Sequence, residues 1–156
     1  MSVALLNHET GTGFASSESN PNGRTDLSAT KSRILVIDDD RCFCELLSLY
    51  FGAKGFDVMT AQTAAEAAVL LAQGQFGLAI LDWCLDRTDA LDLLNLSKNL
   101  HPDLPVIIFT GCEGGTFLTN SLIGRADAVV RKMGSLDALS TNVFRCLGLA
   151  ELKVMK

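Results

Sequence analysis

The sequence has no cluster of lysine or arginine, and its 18 acidic residues outnumber 13 basic ones, which gives a formal net charge of −5. Proteins that bind DNA or RNA usually present a basic patch to the phosphates. We therefore expect no direct contact with nucleic acid. The sequence also lacks an apolar run of the roughly 18 residues that a membrane-spanning helix needs, so we expect no membrane contact.

Signals of secretion are missing as well. The first ten residues, MSVALLNHET, contain no lysine or arginine and no long apolar stretch, unlike a signal peptide. The cysteines are odd in number and scattered through apolar segments, unlike the disulfide framework of a small secreted protein. They are Cys42, Cys44, Cys84, Cys112 and Cys146. We expect a cytoplasmic protein.

What is present divides the chain into a polar tail and one domain. Residues 1–31 are rich in Ser, Thr, Asn and Gly, a composition that buries too little surface to offset the entropy of ordering. We predict a flexible tail there, a folded domain at 32–150 and a short tail at 151–156. The domain is long enough for a hydrophobic core.

Short apolar runs alternate with amphipathic stretches through this domain. We predict strands at 33–38, 57–60, 76–82, 105–111 and 127–132, and helices at 41–54, 63–73, 89–99, 115–123 and 135–147. Such alternation favours an α/β fold, a five-stranded parallel sheet with helices on both faces. Ligands of these sheets bind beyond the carboxyl ends of the strands.

Polar residues stand where four of the strands end. They are Asp38, Asp39 and Asp40, then Asp82, Thr110 and Lys132. Because the ends of parallel strands share one rim of the sheet, we expect these side chains to lie close together. Asp40 directly precedes the first helix and is most simply its N-cap. Capping does not account for the two aspartates before it.

The remaining residues suit phosphoryl chemistry. Mg²⁺ binds through one or two carboxylates together with water and phosphate oxygens, as Asp38 and Asp39 would allow. Asp82 has two interpretations: a structural hydrogen-bonding group, or a nucleophile that forms an aspartyl-phosphate. The second needs a metal, a cation and a donor around the phosphate oxygens. Lys132 would supply the cation and Thr110 the donor.

These motifs together resemble a response-regulator receiver domain, the phosphoacceptor module of two-component signalling. The resemblance covers residues 33 to about 148 and rests on four ordered segments, ILVIDDD, LAILDWCLD, PVIIFTG and ADAVVRK. It implies a flavodoxin-like (βα)5 fold with strand order 2-1-3-4-5.

The resemblance also implies a role for each site residue. Asp82 corresponds to the phosphoacceptor, Thr110 to the hydroxyl that moves to the phosphoryl oxygen, and Lys132 to the paired ammonium. The implied Mg²⁺ ligands are Asp38, Asp39, Asp82 and the backbone carbonyl of Cys84.

The implied phosphodonor is a histidine kinase or a histidine phosphotransfer protein, and the implied output is contact with a downstream protein. Only 24 residues follow Lys132, so we expect a stand-alone receiver, with at most weak homodimerisation. We expect no enzymatic activity beyond self-phosphorylation and autodephosphorylation.

Several positions depart from the family's usual pattern. Met133 replaces the proline after Lys132, and we expect a trans bond because a non-proline cis bond costs about 2.5–4 kcal/mol. Val129 replaces the aromatic switch residue. In the loop after the third strand, Asp86 replaces proline and Ala90 replaces glycine, so we expect that loop to be shaped differently.

Two alternatives stay open at this point. Val129 and Met133 allow a phosphorylation-independent interaction module that keeps the receiver fold. Cys84 and Cys112, at strand ends near the site, allow a redox or metal function. Free cysteine is usually a small buried hydrophobe, which argues against this last alternative.

Overall fold

The computed structural model describes residues 32–85, 89–111, 125–133 and 135–150. The predicted tails at 1–31 and 151–156 and the predicted helix at 115–123 lie outside these residues, as do Asp86 and Cys112. Strands and helices alternate through the described part of the chain. They are β1 (Arg33–Ile37), α1 (Arg41–Ala53), β2 (Asp57–Ala61), α2 (Ala64–Gln73), β3 (Leu78–Leu81), α3 (Asp89–Leu100), β4 (Val106–Thr110), β5 (Ala128–Arg131) and α4 (Leu136–Cys146).

The five strands form one parallel sheet in the order β2-β1-β3-β4-β5. In its centre, Ile34 of β1 lies opposite Val58 of β2 on one side and Leu78 of β3 on the other. The architecture and the strand order are those expected from the sequence. Each predicted strand agrees with the structure within two residues at either end.

Both faces of the sheet are covered, which explains why the central strands are apolar throughout. Leu35 and Ile37 pack into a core cluster on the face covered by α2 and α3. Ile34 and Val36 point to the opposite face and pack beneath α1 and α4. A strand buried on both faces has no position for a solvated residue, so the first polar residue marks its end.

Local signals set the ends of α1 and α2. The carboxylate of Asp40 accepts hydrogen bonds from the backbone N–H groups of Cys42 and Phe43, which confirms its prediction as an N-cap. Beyond α1, Gly55 has a φ of 93°, a conformation open to glycine at little cost. Thr63 caps α2 through its hydroxyl. No helix within the described ranges is long and apolar enough to span a membrane.

Candidate functional site

The sheet ladder continues one residue beyond the strands and so places the predicted site residues. The N–H of Asp82 donates to the carbonyl of Ile37 at 2.8 Å, and that of Lys132 donates to the carbonyl of Thr110 at 2.8 Å. The N–H of Asp38 donates to the carbonyl of Ala61 at 3.1 Å. The side chains that follow are therefore held at one rim, as the sequence predicts.

Three carboxylates gather at this rim. Asp38 and Asp82 are buried, with 2% and 4% of their surfaces exposed, whereas Asp39 is exposed. One oxygen from each lies within 4.8 Å of the others. Opposite ligands of an octahedral Mg²⁺ are about 4.2 Å apart, at roughly 2.1 Å from the ion. Adjacent ligands are only about 3.0 Å apart, and at most one pair of three oxygens can be opposite, so the carboxylates would draw closer together around such an ion.

Lys132 joins the two buried carboxylates. Its ammonium Nζ lies 2.6 Å from Asp38 Oδ2 and 2.9 Å from Asp82 Oδ2. The ring of Phe43 lies on another side of the ammonium, with its centroid 4.6 Å from Nζ. The sequence reasoning did not find this ring contact. The apolar spacing of α1 shows only that Phe43 faces the core.

Backbone groups hold the other oxygen of each buried carboxylate. The N–H of Asp40 donates to Asp38 Oδ1 at 3.0 Å, and the N–H of Cys84 donates to Asp82 Oδ1 at 3.1 Å. Both carboxylates are thus oriented by one backbone donor and by Lys132. Thr110 is buried, and its Oγ1 lies 3.6 Å from the sulfur of Cys84.

Burial and pairing act against each other on the pKa values at this rim. Burial raises the pKa of Asp38, and the hydrogen bonds from Lys132 and from the N–H of Asp40 only partly offset it. For Lys132, burial favours a lower pKa, but the hydrogen bonds to Asp38 and Asp82 and their charges raise it overall. The lysine therefore stays charged.

The formal charge of the cluster is not balanced. Asp38, Asp39 and Asp82 contribute three negative charges and Lys132 contributes one positive charge, an excess of two negative charges. A divalent cation would neutralise that excess, and its preferred oxygen ligands are already assembled. The rim can therefore hold a hard cation and present the Asp82 carboxylate to a phosphoryl group.

The comparison with known families agrees with this geometry. The family described as response regulator receiver domain matches residues 34–144, which is more than half of the chain. The chain belongs to this family. The resemblance noted in the sequence is thereby confirmed, and the chain is the receiver domain of a two-component response regulator.

Curated relatives of this receiver domain are longer proteins. The response regulator MprA of Mycobacterium sp. (strain KMS) is 31% identical over 107 residues, covering 69% of this chain and 46% of MprA. The Regulator of RpoS of Escherichia coli (strain K12) is 28% identical over 116 residues, covering 74% of this chain and 34% of that protein. The chain thus spans about half the length of the first relative and a third of the second.

Solved receiver structures superpose over most of the domain. The CheY-like receiver domain protein from Methanospirillum hungatei JF-1 has a TM-score of 0.71 and 27% identity, covering 76% of this chain and 95% of that one. The response regulator TrrA from Thermotoga maritima, in complex with Mg(2+)-BeF, has a TM-score of 0.64 and 26% identity. The match covers 74% of this chain and 98% of TrrA.

Two of the departures from the family pattern, at Val129 and Met133, fall on the surface of this receiver domain. Val129 is 52% exposed and Met133 is 86% exposed. The described residues contain no cis peptide bond, which confirms the trans bond expected after Lys132. Ala90 is buried in the first turn of α3, whereas residues 86–88, in the loop expected to differ, lie outside the described residues.

Proposed function

We propose that Asp82 accepts a phosphoryl group from a phosphohistidine donor, with Mg²⁺ held by Asp38, Asp39, Asp82 and the backbone carbonyl of Cys84. The observation that best supports this proposal is the excess of carboxylates over ammonium groups at the rim. A purely structural Asp82 would need only its two hydrogen-bond partners. The additional carboxylates within 4.8 Å raise the energy of the cluster unless a cation joins them.

Each residue of the cluster would serve one part of the transfer. An oxygen of Asp82 attacks phosphorus, the O–P bond forms, and the P–N bond to the donor histidine breaks. Lys132 orients the carboxylate and then pairs with a phosphoryl oxygen, while the hydroxyl of Thr110 donates to another. When bound, Mg²⁺ supplies positive charge that neutralises the incoming phosphate oxygens.

The comparisons support the metal and the phosphoryl group without assigning them to this chain. TrrA, which shares the fold at 26% identity, carries Mg(2+)-BeF in its solved structure. The same chemistry would fit the carboxylate cluster here. The donor that we propose is a histidine kinase or a histidine phosphotransfer protein, and the output is contact with a downstream protein from a cytoplasmic domain at 32–150.

The first experiment measures uptake of phosphate from an acyl phosphate. Intact mass should show one phosphate adduct in the presence of Mg²⁺, and the fluorescence of Trp83, the only tryptophan, should change with Mg²⁺ and again with the donor. Asp82→Asn should abolish the adduct. Asp103→Asn is the matched control, because Asp103 is an exposed aspartate in the loop that enters β4, at the opposite end of the sheet. An adduct that survives Asp82→Asn would contradict the proposal.

A second experiment tests the metal separately from the phosphate. Asp39→Asn should weaken Mg²⁺ binding by about tenfold or more, because it removes one of the proposed carboxylate ligands. Even the loss of a residue that only orients a metal ligand commonly costs about tenfold in affinity. Asp40→Asn should leave the affinity unchanged, because Asn caps a helix about as well as Asp. Equal Mg²⁺ titrations of the Trp83 fluorescence in these two variants would refute the metal site.

The alternative is a receiver fold that binds its partner without phosphorylation. The exposed side chains of Val129 and Met133 favour it, since neither can act as the usual aromatic or proline element of the output surface. The same experiments separate the two functions. Wild-type protein that shows no adduct and no fluorescence step would support the alternative.

A further inference from the structure

The three carboxylates of the cluster differ in how they are held. Those of Asp38 and Asp82 are each fixed by a backbone N–H and by the ammonium of Lys132. The carboxylate of Asp39 makes no hydrogen bond or ion pair with another described residue, although it belongs to the set that could hold a metal ion. Its direction therefore depends on the backbone that carries it.

The side chain of Cys44 contacts this backbone. Cys44 is a free cysteine one turn into α1, with 2% of its surface exposed, and its Sγ lies 3.3 Å from the backbone carbonyl oxygen of Asp38. A carbonyl has no proton to give, so the thiol is the donor. The N–H of Cys44 also donates to the carbonyl of Asp40 at 3.0 Å. One residue of α1 thus holds the chain on both sides of Asp39.

The contact with the thiol reaches Asp39 through one peptide unit. The carbonyl of Asp38 and the N–H of Asp39 belong to the same planar group, so a donor that fixes the direction of the carbonyl also fixes the rotation of that plane. The side chain of Asp39 starts from the Cα at the far end of the plane. Asp38 depends less on the thiol, since its own N–H donates to Ala61 and its carboxylate has two other donors.

We propose that Cys44 is a positioning residue for the proposed Mg²⁺ site: its buried thiol holds the peptide between Asp38 and Asp39 and so directs the Asp39 carboxylate towards the cluster. The inference rests on the proposed function, in which Asp39 is a metal ligand. A buried cysteine often serves only as a small hydrophobe, and Cys44 also packs in the core beneath α1. Replacement separates the two roles, because valine keeps an apolar side chain there and serine keeps a donor.

The first readout is the affinity of the full chain for Mg²⁺, measured by titration of the Trp83 fluorescence. Cys44→Val should weaken binding by about tenfold, the lower end of what the loss of a group that orients a metal ligand costs, because a thiol is a weak donor. Cys44→Ser should bind Mg²⁺ as the wild type does, because its hydroxyl can donate to the same carbonyl. Unchanged affinity in Cys44→Val, or an equal loss in both variants, would overturn the proposal.

Leu47→Val is the matched control for packing. Leu47 is a buried residue of α1 in the same core cluster as Cys44, and its side chain has no donor. The replacement should lower the midpoint of urea unfolding, because it removes buried volume, and leave the affinity for Mg²⁺ unchanged. A loss of affinity as large as that in Cys44→Val would show that the packing of α1, and not the thiol, controls the site.

A double-mutant cycle tests whether the thiol acts through Asp39. In an Asp39→Asn background, Cys44→Val should have little further effect on the affinity for Mg²⁺, because the carboxylate that the thiol directs is already gone. A loss of the same size in both backgrounds would mean that Cys44 acts on the site by another route, and the proposed role would be wrong.

The outcomes separate this inference from the function on which it rests. If the wild type binds Mg²⁺ and takes up phosphate on Asp82, and Cys44→Val binds Mg²⁺ equally well, the role of Cys44 is wrong and the proposed function stands. If the fluorescence of the wild type does not respond to Mg²⁺ and no phosphate is taken up, the proposed function fails, and the role of Cys44 fails with it.

Discussion

The two ends of the sheet carry the same kinds of charged residue but in different proportions. At the amino end, Arg33 pairs with Asp57 at 2.7 Å and Lys98 pairs with Asp127 at 2.8 Å. Two positive charges face two negative ones, and all four side chains are between 27% and 46% exposed. At the carboxyl end, Asp38 and Asp82 share Lys132, whose side chain is only 13% exposed, and the carboxylate of Asp39 lies beside them.

At the amino end of the sheet, where the charges are balanced, the ion pairs stabilise the fold. Asp127 accepts from the N–H of Val106 at 2.8 Å as well as from Lys98, which also donates to the carbonyl of Leu104. These contacts fasten the start of β4 to α3 and to the residue before β5. Each of these four charges has its partner within the chain, so these pairs need nothing from outside.

The unbalanced end is arranged for a ligand. Removing charged groups from water is costly, and like charges in a buried cluster add to that cost. A sequence selected for stability alone would have no reason to place a second and a third carboxylate beside Lys132. The comparison therefore indicates that the functional end of the sheet is the one where the charges are not balanced, although the rest of the fold follows the usual rules of stability.

Replacing a lysine at each end gives the largest contrast. Lys132→Met should lower the free energy of unfolding by about 3–5 kcal/mol, because it leaves Asp38 and Asp82 buried without a cation. Lys98→Met should cost at most about 1 kcal/mol, since Asp127 remains partly solvated. Urea unfolding without divalent ions measures both values.

Mg²⁺ supplies the control for this pair of variants. Added Mg²⁺ should restore part of the stability of Lys132→Met and leave that of Lys98→Met unchanged, because only the former has unpaired carboxylates. Similar losses in both variants, or no effect of Mg²⁺ on either, would mean that the two ends are electrostatically equivalent.

Two contacts between an aromatic ring and a lysine allow a second comparison, with a smaller expected effect. The ring of Phe43 lies 4.6 Å from the ammonium of Lys132, and the ring of Tyr50 lies 4.9 Å from that of Lys54. Such a contact is worth about 1 kcal/mol at sites of intermediate burial. Phe43→Leu should therefore slow phosphate uptake about fivefold, since about 1.4 kcal/mol is tenfold.

Tyr50→Leu is the matched variant, because it removes a comparable ring contact without touching the lysine of the cluster. Its rate of phosphate uptake should equal that of the wild type when both are measured with the same acyl phosphate. Equal slowing by Phe43→Leu and Tyr50→Leu would indicate that packing in α1, and not the position of Lys132, controls the rate.

The sequence was sufficient to predict the fold and the residues that form the cluster, because both depend on periodicity and on where strands end. It also separated Asp40, a cap, from Asp38. It could not show that one lysine bridges Asp38 and Asp82, because that depends on side-chain directions across three strands. Nor did an odd, scattered set of cysteines predict that Cys84 is disulfide-bonded, since spacing along a chain does not show which cysteines meet in the fold.

The smallest expected effect belongs to the pair Arg33 and Asp57. A double-mutant cycle with Arg33→Gln and Asp57→Asn should give a coupling below about 1 kcal/mol at low salt, because both side chains are exposed by more than two-fifths. In 1 M salt, where the screening length is about 3 Å, the coupling should vanish. Phosphate uptake should not change, since the pair lies about 16 Å from the site along a five-residue strand. A coupling that persisted in salt, or a slower uptake, would show that the amino end also acts on the site, and the division between the two ends would have to be given up.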